Sequence, residues 1–488
     1  MNSAGNAVSL AGLKRRALSI GAVKAFDHAI QFLLPVVLVR CLDTATFGEY
    51  RLLWLAVGTI MTFATLNMCG TLYYFVPRSE PRRKRLYVHQ TMLYLAVAGV
   101  VCAFLLSPWN TFLPPMRALG QYGWLVPAFV ALWVLAFLLD HLPSVDERTS
   151  WQVYAMLSVS ALRVLLVALG AWLTGDLRVI LWLLLALVLV KATLLLYYVG
   201  RHHGLGAPWF ERAAFSEQFR HSAPIGGSNA LNGLRAQADQ WVVASLFALS
   251  SFAAFSIAAH VGQVMAVLRG AVLQAFLPSM SRLQAAGDVR GMLGMNSRGN
   301  AIVARLLYPA LAFVFVFAEE IVRVVYTASY LEAAPVIRVY IIGILPMAIE
   351  TGSMVLLLRR GTFSLRLTAF TLALSIALSW TAALHLGLAG AAAGSAVAVY
   401  VDRVVLLRHL SRHTGIALRS LQDWRVLLTA LAFAAATAAF AWYGVARLFP
   451  DGGPLVRLAA GGAIFALAYA ALHVIKARRS NEPATARN

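Results

Sequence analysis

Apolar runs long enough to cross a bilayer recur along nearly the whole chain, separated by short polar gaps. About 20 apolar residues, rising ~1.5 Å each, span a hydrocarbon core of roughly 30 Å. The pattern predicts fourteen transmembrane helices, at about 18–39, 52–76, 87–107, 122–139, 152–174, 178–199, 222–248, 252–278, 299–318, 334–358, 363–384, 387–409, 424–446 and 455–475. Basic residues collect in alternate gaps, as in Lys14 to Arg16, Arg82 to Arg85, Arg282 with Arg290 and Arg298, and Lys476 with Arg478 and Arg479. The intervening gaps hold few. Because such clusters stay on the cytoplasmic side, both termini are expected inside.

The longest inner gap, 200–221, separates six spans from eight. It divides the chain into an N-terminal six-helix lobe (1–199), a cytoplasmic linker (200–221), a second six-helix lobe (222–411), and two further helices with a tail (412–488). An internal echo crosses the divide. Phe47 and Tyr50 open the second span, and Phe252 and Phe255 open the eighth; each span ends at a proline (Pro77, Pro278) before a basic loop. Both echoes run outside to inside, which predicts parallel repeats of the kind that rock about a shared site. The last two spans carry little polar at mid-depth beyond Thr429 and Thr437, and are expected at the periphery.

Composition narrows the class. With 60% hydrophobic residues, 12% charged and a mean hydropathy of +0.73, a soluble enzyme of 488 residues is excluded. The net charge of +21 is what inner loops facing anionic lipid require, and no aromatic-basic module accompanies it, so nucleic acid is not expected as a partner. Three cysteines, Cys41, Cys69 and Cys102, lack metal or redox spacing. Lys24, Asp27 and His28 interrupt the first apolar run, so an uncleaved first span is expected rather than a signal peptide.

Ionisable groups inside a bilayer cost a few kcal/mol each and normally face a cavity or a partner. In the seventh span, Ser228, Asn232, Arg235 and Asp239 recur at steps of four, three and four, one helical stripe, flanked by Asn229 and Gln240. Gly226 and Gly227 precede it and permit close backbone approach. The stripe predicts either a wall of a water-filled cavity or an Arg235–Asp239 ion pair joining helices. The first span carries Lys24, Asp27, His28 and Gln31 on one face. Asp27 is the candidate for binding H⁺ or Na⁺, as a carboxylate in low dielectric changes charge at accessible pH; Asp239 is the second. The eighth span offers Ser256, His260, Gln263 and Gln274 on one stripe and Arg269 nearly opposite. Arg163 lies near mid-depth in the fifth span. Lys191 and Arg305 are expected to snorkel toward the inner surface. Arg338 and Glu350 form one plausible pair, and Asp402 with Arg403 another. The excess of buried cations favours an anionic cargo, and guanidinium groups match phosphate oxygens in paired geometry.

No GxxxxGK[ST] loop, HExxH or Cys/His cluster is present, so no nucleotide, metal or other cofactor is expected. The outer gaps are short, which favours moving a substrate over joining one. The stretch Arg40 to Tyr50, reading RCLDTATFGEY, resembles the L-x-x-x-x-F-G-x-Y segment before the second span of Wzx-type oligosaccharide flippases. Pro224-Ile225-Gly226, with Gln237 to Trp241, is similar to their seventh span. Phe252 to Ala258 matches their G-x-Y-x-x-A position loosely, with Ala253 and Phe255 replacing Gly and Tyr. Pro278 to Arg282 and Tyr330 to Val336 match loosely too.

That resemblance runs through nearly the whole chain. It implies the multidrug/oligosaccharidyl-lipid/polysaccharide exporter superfamily: an all-α polytopic membrane protein of two six-helix lobes around a central cavity plus two appended helices. It further implies translocation of an undecaprenyl-pyrophosphate-linked oligosaccharide across a bacterial inner membrane, for O-antigen, capsule or exopolysaccharide synthesis. Arg163, Asn229, Asn232, Arg235, Gln240, His260, Gln263 and Arg269 are the expected cargo contacts. Asp27 and Asp239 are the expected coupling sites to an H⁺ or Na⁺ gradient, and a polysaccharide polymerase is an expected partner. A lipid II or drug exporter of the same superfamily, and a membrane polymerase or glycosyltransferase, are the alternatives.

Overall fold

The computed structural model describes residues 33–107 and 114–481, without the side chains of 263–268, 271–274 and 473–481. No strand occurs among the described residues. The principal helices are α1 (Thr44–Ala64), α2 (Met68–Arg78), α3 (Pro81–Leu105), α4 (Leu125–Ala136), α5 (Thr149–Thr174), α6 (Leu177–His202) and α7 (Arg212–Leu246). They continue as α8 (Leu249–Ala285), α9 (Val289–Val316), α10 (Ala333–Ile344), α11 (Gly352–Leu357), α12 (Gly361–Thr414), α13 (Trp424–Leu448) and α14 (Pro454–Asn481). By length and apolarity, nine helices among the described residues suffice to cross a membrane, or ten if α1 and α2 are one bent span. The chain is an all-α, multi-pass membrane protein. Packing divides it into two compact units, Met1–Gln237 and Ala238–Asn488, with the boundary inside α7.

In the first unit α3 packs on α4, α4 on α6, and α5 on α6. Asp43 caps α1, its carboxylate accepting the Ala45 and Thr46 amides at 2.9 Å each. One turn on, the buried rings of Phe47 and Tyr50 stack at 6.4 Å. The second expected span is broken: α1 and α2 meet at 42°, with Leu66 and Asn67 at positive φ. A break inside a bilayer frees backbone groups that a neighbour has to satisfy. Here Ser222 of α7 donates to the Leu66 carbonyl, and Gly226, one turn later, lies so close that a Cβ would collide with the Leu66 backbone. Gly227 meets nothing. Of the two adjacent glycines, the close approach needs only the first.

Lys191 does not snorkel. It is buried in α6, donates to Asp140 at 2.7 Å and lies 5.0 Å from the Trp133 ring centre. A cation this deep is held by a carboxylate and an aromatic face instead of by headgroups. Just past the end of its span, Asp146 has one carboxylate oxygen bonded at 2.8 Å by both Tyr198, near the end of α6, and His203. Burial pushes this carboxyl up, but the His203 and Tyr198 contacts win and hold it below the ordinary carboxylate range. The expected linker 200–221 is helical from Arg212, so α7 begins well before the apolar run does.

In the second unit α8 packs on α9 and α10, α9 on α13, α10 on α12, and α13 on α14. Phe252 and Phe255 are buried one turn into α8, as Phe47 and Tyr50 are in α1. The long α12 is two helices joined at Gly387 (φ 64°, ψ −148°), between the eleventh and twelfth expected spans. Arg338 pairs with Glu319 at 3.1 Å and donates to the Phe315 carbonyl, not to Glu350. Glu350 belongs to the unwound stretch between α10 and α11. Its carboxylate accepts the Gly352 and Ser353 amides at the start of α11. Its own amide donates to Asn300 at 3.0 Å and its carbonyl accepts from Asn296 at 3.2 Å. Geometry decides against the expected pair: Arg338 lies early in α10 and Glu350 past its end.

Candidate functional site

The polar face of α7 is the candidate, and its residues differ in what surrounds them. Asn229 and Asn232 are exposed, Arg235 and Gln240 are half-buried, and Asp239 is buried. With this stripe and its polar start, α7 is not among the described helices long and apolar enough to cross a membrane, and polar donors at such a depth stay accessible only if they face water or a partner. The Asn232 side chain donates to the Ser228 carbonyl at 2.9 Å, which leaves its amide oxygen as a further acceptor on an exposed residue. In the first unit, Gln237 bonds Thr59 at 2.5 Å and its amide lies 3.1 Å from where a Cβ would stand on Gly58. Gly233 likewise comes against Thr62, at 2.6 Å from a Cβ placed there. Gly58, Gly226 and Gly233 thus let α7 lie close to α1 and its break, the small-residue packing that membrane helices use.

In the second unit the Asp239 carboxylate accepts the Tyr340 hydroxyl of α10 at 2.7 Å and the Gln240 amide at 2.8 Å. Its bonding turns toward α10, where the Phe255 ring lies tilted against Tyr340 with centroids 5.6 Å apart. Sequence reasoning missed Tyr340: a lone tyrosine in an apolar run carries no periodic signal. Gln237 was legible only as part of a polar cluster.

The remaining candidates are dispersed. Arg163 is half-buried in the first unit, its guanidinium 5.5 Å from the Trp54 ring centre. His260 contacts the Ser256 carbonyl through Nδ1 at 2.8 Å. Arg269 donates to the Met347 carbonyl at 3.4 Å and lines a small cleft with Asn296, Asn300 and Glu350. Asp27 and the Gln263 side chain lie outside the described residues. On α7, Asn229, Asn232 and Arg235 belong to the first unit and Asp239 and Gln240 to the second, while Arg163, His260 and Arg269 stand on other helices.

Among the described residues no group of His, Cys, Asp and Glu has the spacing to hold a metal ion. In the first unit the α7 face offers amide groups and a guanidinium; in the second unit α7 carries a buried carboxylate. It can bind an oxyanion and hydroxyl-rich groups; it presents no nucleophile–base pair.

Known proteins share this fold. The family model described as Polysaccharide biosynthesis protein matches residues 13–284, and that described as Lipid II flippase MurJ matches residues 152–460. No curated protein matches. Among solved structures, the lipid II flippase MurJ in an inward closed conformation is similar with a TM-score of 0.66 and 12% identity, over 93% of this chain and 98% of that one. An inward-facing multidrug resistance MATE family transporter of the MOP superfamily has a TM-score of 0.65 at 14% identity, over 80% and 96%. An outward-facing conformation of a multidrug resistance MATE family transporter of the MOP superfamily has 0.57 at 14%, over 83% and 96%. At these identities the likeness is one of fold.

Proposed function

We propose, on the premise that the chain belongs to the polysaccharide biosynthesis protein family and shares the lipid II flippase MurJ family over much of its length, that it flips an undecaprenyl-pyrophosphate-linked oligosaccharide across a bacterial inner membrane. The cargo feeds O-antigen, capsule or exopolysaccharide synthesis, and both termini are cytoplasmic. The observation that carries this reading is the α7 face, on which Asn229, Asn232 and the half-buried Arg235 stand in order along one helix of a multi-pass membrane protein. Arg235, with Arg163 as a second cation, neutralises the pyrophosphate, since a guanidinium presents paired donors to phosphate oxygens. Asn229, Asn232 and Gln240 contact sugar hydroxyls. Asp239 couples the cycle to an H⁺ or Na⁺ gradient. The α7 face is exposed alternately to the two sides of the membrane while the polyprenyl chain stays in lipid, and a polysaccharide polymerase takes up the product.

Reconstituted vesicles carrying a lipid-linked pyrophosphate oligosaccharide test this. The protein is expected to redistribute the lipid between leaflets without altering the glycan. Arg235→Gln is expected to slow redistribution by at least tenfold at unchanged protein abundance, about 1.4 kcal/mol or more of lost charge-assisted contact. An altered glycan product would instead mark an enzyme, and unchanged rates would remove Arg235 from the mechanism.

A second reading, lipid II as cargo, is favoured by the MurJ family match over residues 152–460. Parallel vesicles loaded with lipid II and with a repeat-unit lipid separate the two by relative rate.

A further inference from the structure

The helices at the end of the chain hold a feature that the α7 face does not use. In the second unit, α13 packs against α9 and α14 against α13. The Asn300 amide donates to Gln422 at 2.9 Å and the Asp423 amide to Ser297 at 2.8 Å, so α9 and α13 start at the same end of the unit. The Tyr469 hydroxyl of α14 donates to the Arg305 carbonyl of α9 at 3.2 Å. Between the three helices opens a shallow cleft, lined by Arg305, Thr429, Phe433, Tyr469 and Leu472 among others. Arg305 is exposed, and its guanidinium has no hydrogen-bond partner among the described residues.

Depth decides what the cleft can hold. Thr429 lies a little over one turn into α13, about 7 Å along its axis. Arg305 and Tyr469 fall at a similar depth within their apolar runs, counted from the same end. The headgroup layer begins about 15 Å from the bilayer centre, so an arginine of this reach delivers its charge to the level of lipid phosphates. Arg425, exposed and one turn nearer that end on the Thr429 face, adds a second cation. Thr429 and Tyr469 satisfy their own hydroxyl protons on backbone carbonyls, so the five guanidinium N–H groups of Arg305 are the donors on offer. Below them the wall turns apolar at Phe433, one turn deeper in α13 than Thr429, while Leu472 flanks the headgroup end of the cleft.

We propose that this cleft binds an anionic phospholipid, its phosphodiester on Arg305 and an acyl chain running deeper along Phe433. The site gives the two terminal helices a ligand of their own, where the sequence predicts only peripheral packing.

Native mass spectrometry of the purified full chain with phosphatidylglycerol and phosphatidylcholine tests it. The wild type is expected to retain one phosphatidylglycerol in preference to phosphatidylcholine. Arg305→Gln is expected to weaken that retention about fivefold, the worth of one basic residue at a lipid surface. Arg305→Lys keeps the charge without the fork and should fall between them. Ala430→Trp fills the cleft while leaving Arg305 in place, and should also lose the lipid. Unchanged phosphatidylglycerol retention in either Arg305→Gln or Ala430→Trp overturns the proposal. Displacement by inorganic phosphate would make the site one for soluble anions, and selective loss of undecaprenyl pyrophosphate would assign it to the cargo; both outcomes overturn it as well.

Discussion

Asp239 shows what a sequence stripe conveys about a residue and what it leaves out. The stripe places a carboxylate on the polar face of α7, but its bonding partner, the Tyr340 hydroxyl, comes from a helix about a hundred positions away. No periodicity within either helix announces a contact between them. Replacing Tyr340 by Phe leaves a buried carboxylate short of one donor, which should destabilise the protein by about 1.5–3 kcal/mol and lower its melting temperature in detergent. Asp239→Asn keeps the Tyr340 bond in shape while removing the charge. A coupling role for Asp239 predicts that this variant melts like the wild type yet loses the acceleration of flipping by an imposed ion gradient. Asp146 makes a prediction about pH. Its folded pKa lies below the unfolded value, so its contribution is present above about pH 4 and is lost as pH falls through the folded value. His203→Gln should therefore lower the melting temperature at pH 6 and converge on the wild type at the acid end of a pH series. A gap that stays constant down to the lowest pH would show that the Asp146 contact carries no such linkage.

Elements were more legible than contacts. Apolar length located α4, α5, α6 and α13 to within a few residues, because a bilayer sets one length for spans of this kind, whereas α7 and α9 begin well before their apolar runs. It failed where a span is interrupted. The run at 52–76 reads as one helix, since Leu66 and Asn67 are ordinary residues in an apolar context, yet both adopt positive φ and the helix breaks there. The same happens at Glu350, which reads in the sequence as a mid-span charge and serves to cap α11 while its backbone bonds Asn296 and Asn300. In each unit the freed backbone is satisfied by a polar side chain on a neighbouring helix, and those side chains were visible in the sequence without their purpose. Ser222→Ala should strand the Leu66 carbonyl at a cost of about 1–3 kcal/mol. Gly226→Val would meet the Leu66 backbone itself and should cost at least as much, about 1–3 kcal/mol, whereas Gly227→Ala has open space and should melt within about 0.5 kcal/mol of the wild type. Thermal denaturation of the three variants orders them; equal melting of the two glycine variants would contradict the close packing of α7 on the α1–α2 break.

At the scale of the molecule, the bias of basic residues toward alternate gaps predicts an orientation, and the family fixes a class of transport. Neither says when the α7 face meets which side of the membrane. Asn229 and Asn232 are exposed on α7 while Asp239, two to three turns on, is buried, so a probe entering from one side should grade along the helix. Replacing Cys41, Cys69 and Cys102 gives a background for single cysteines, two of the three native thiols being buried already. Asn229→Cys and Asn232→Cys should react with a membrane-impermeant maleimide from one side, and an imposed ion gradient should transfer part of that reactivity to the other. Gly227→Cys serves as the control nearer the start of the helix. A transporter that alternates access requires the two sides to compete for the same thiols, since a ligand or gradient can only shift an equilibrium between states that differ in exposure. Reactivity from one side that no gradient alters would describe a fixed crevice, and labelling from neither side would place the α7 face in protein and remove it from the path of the cargo.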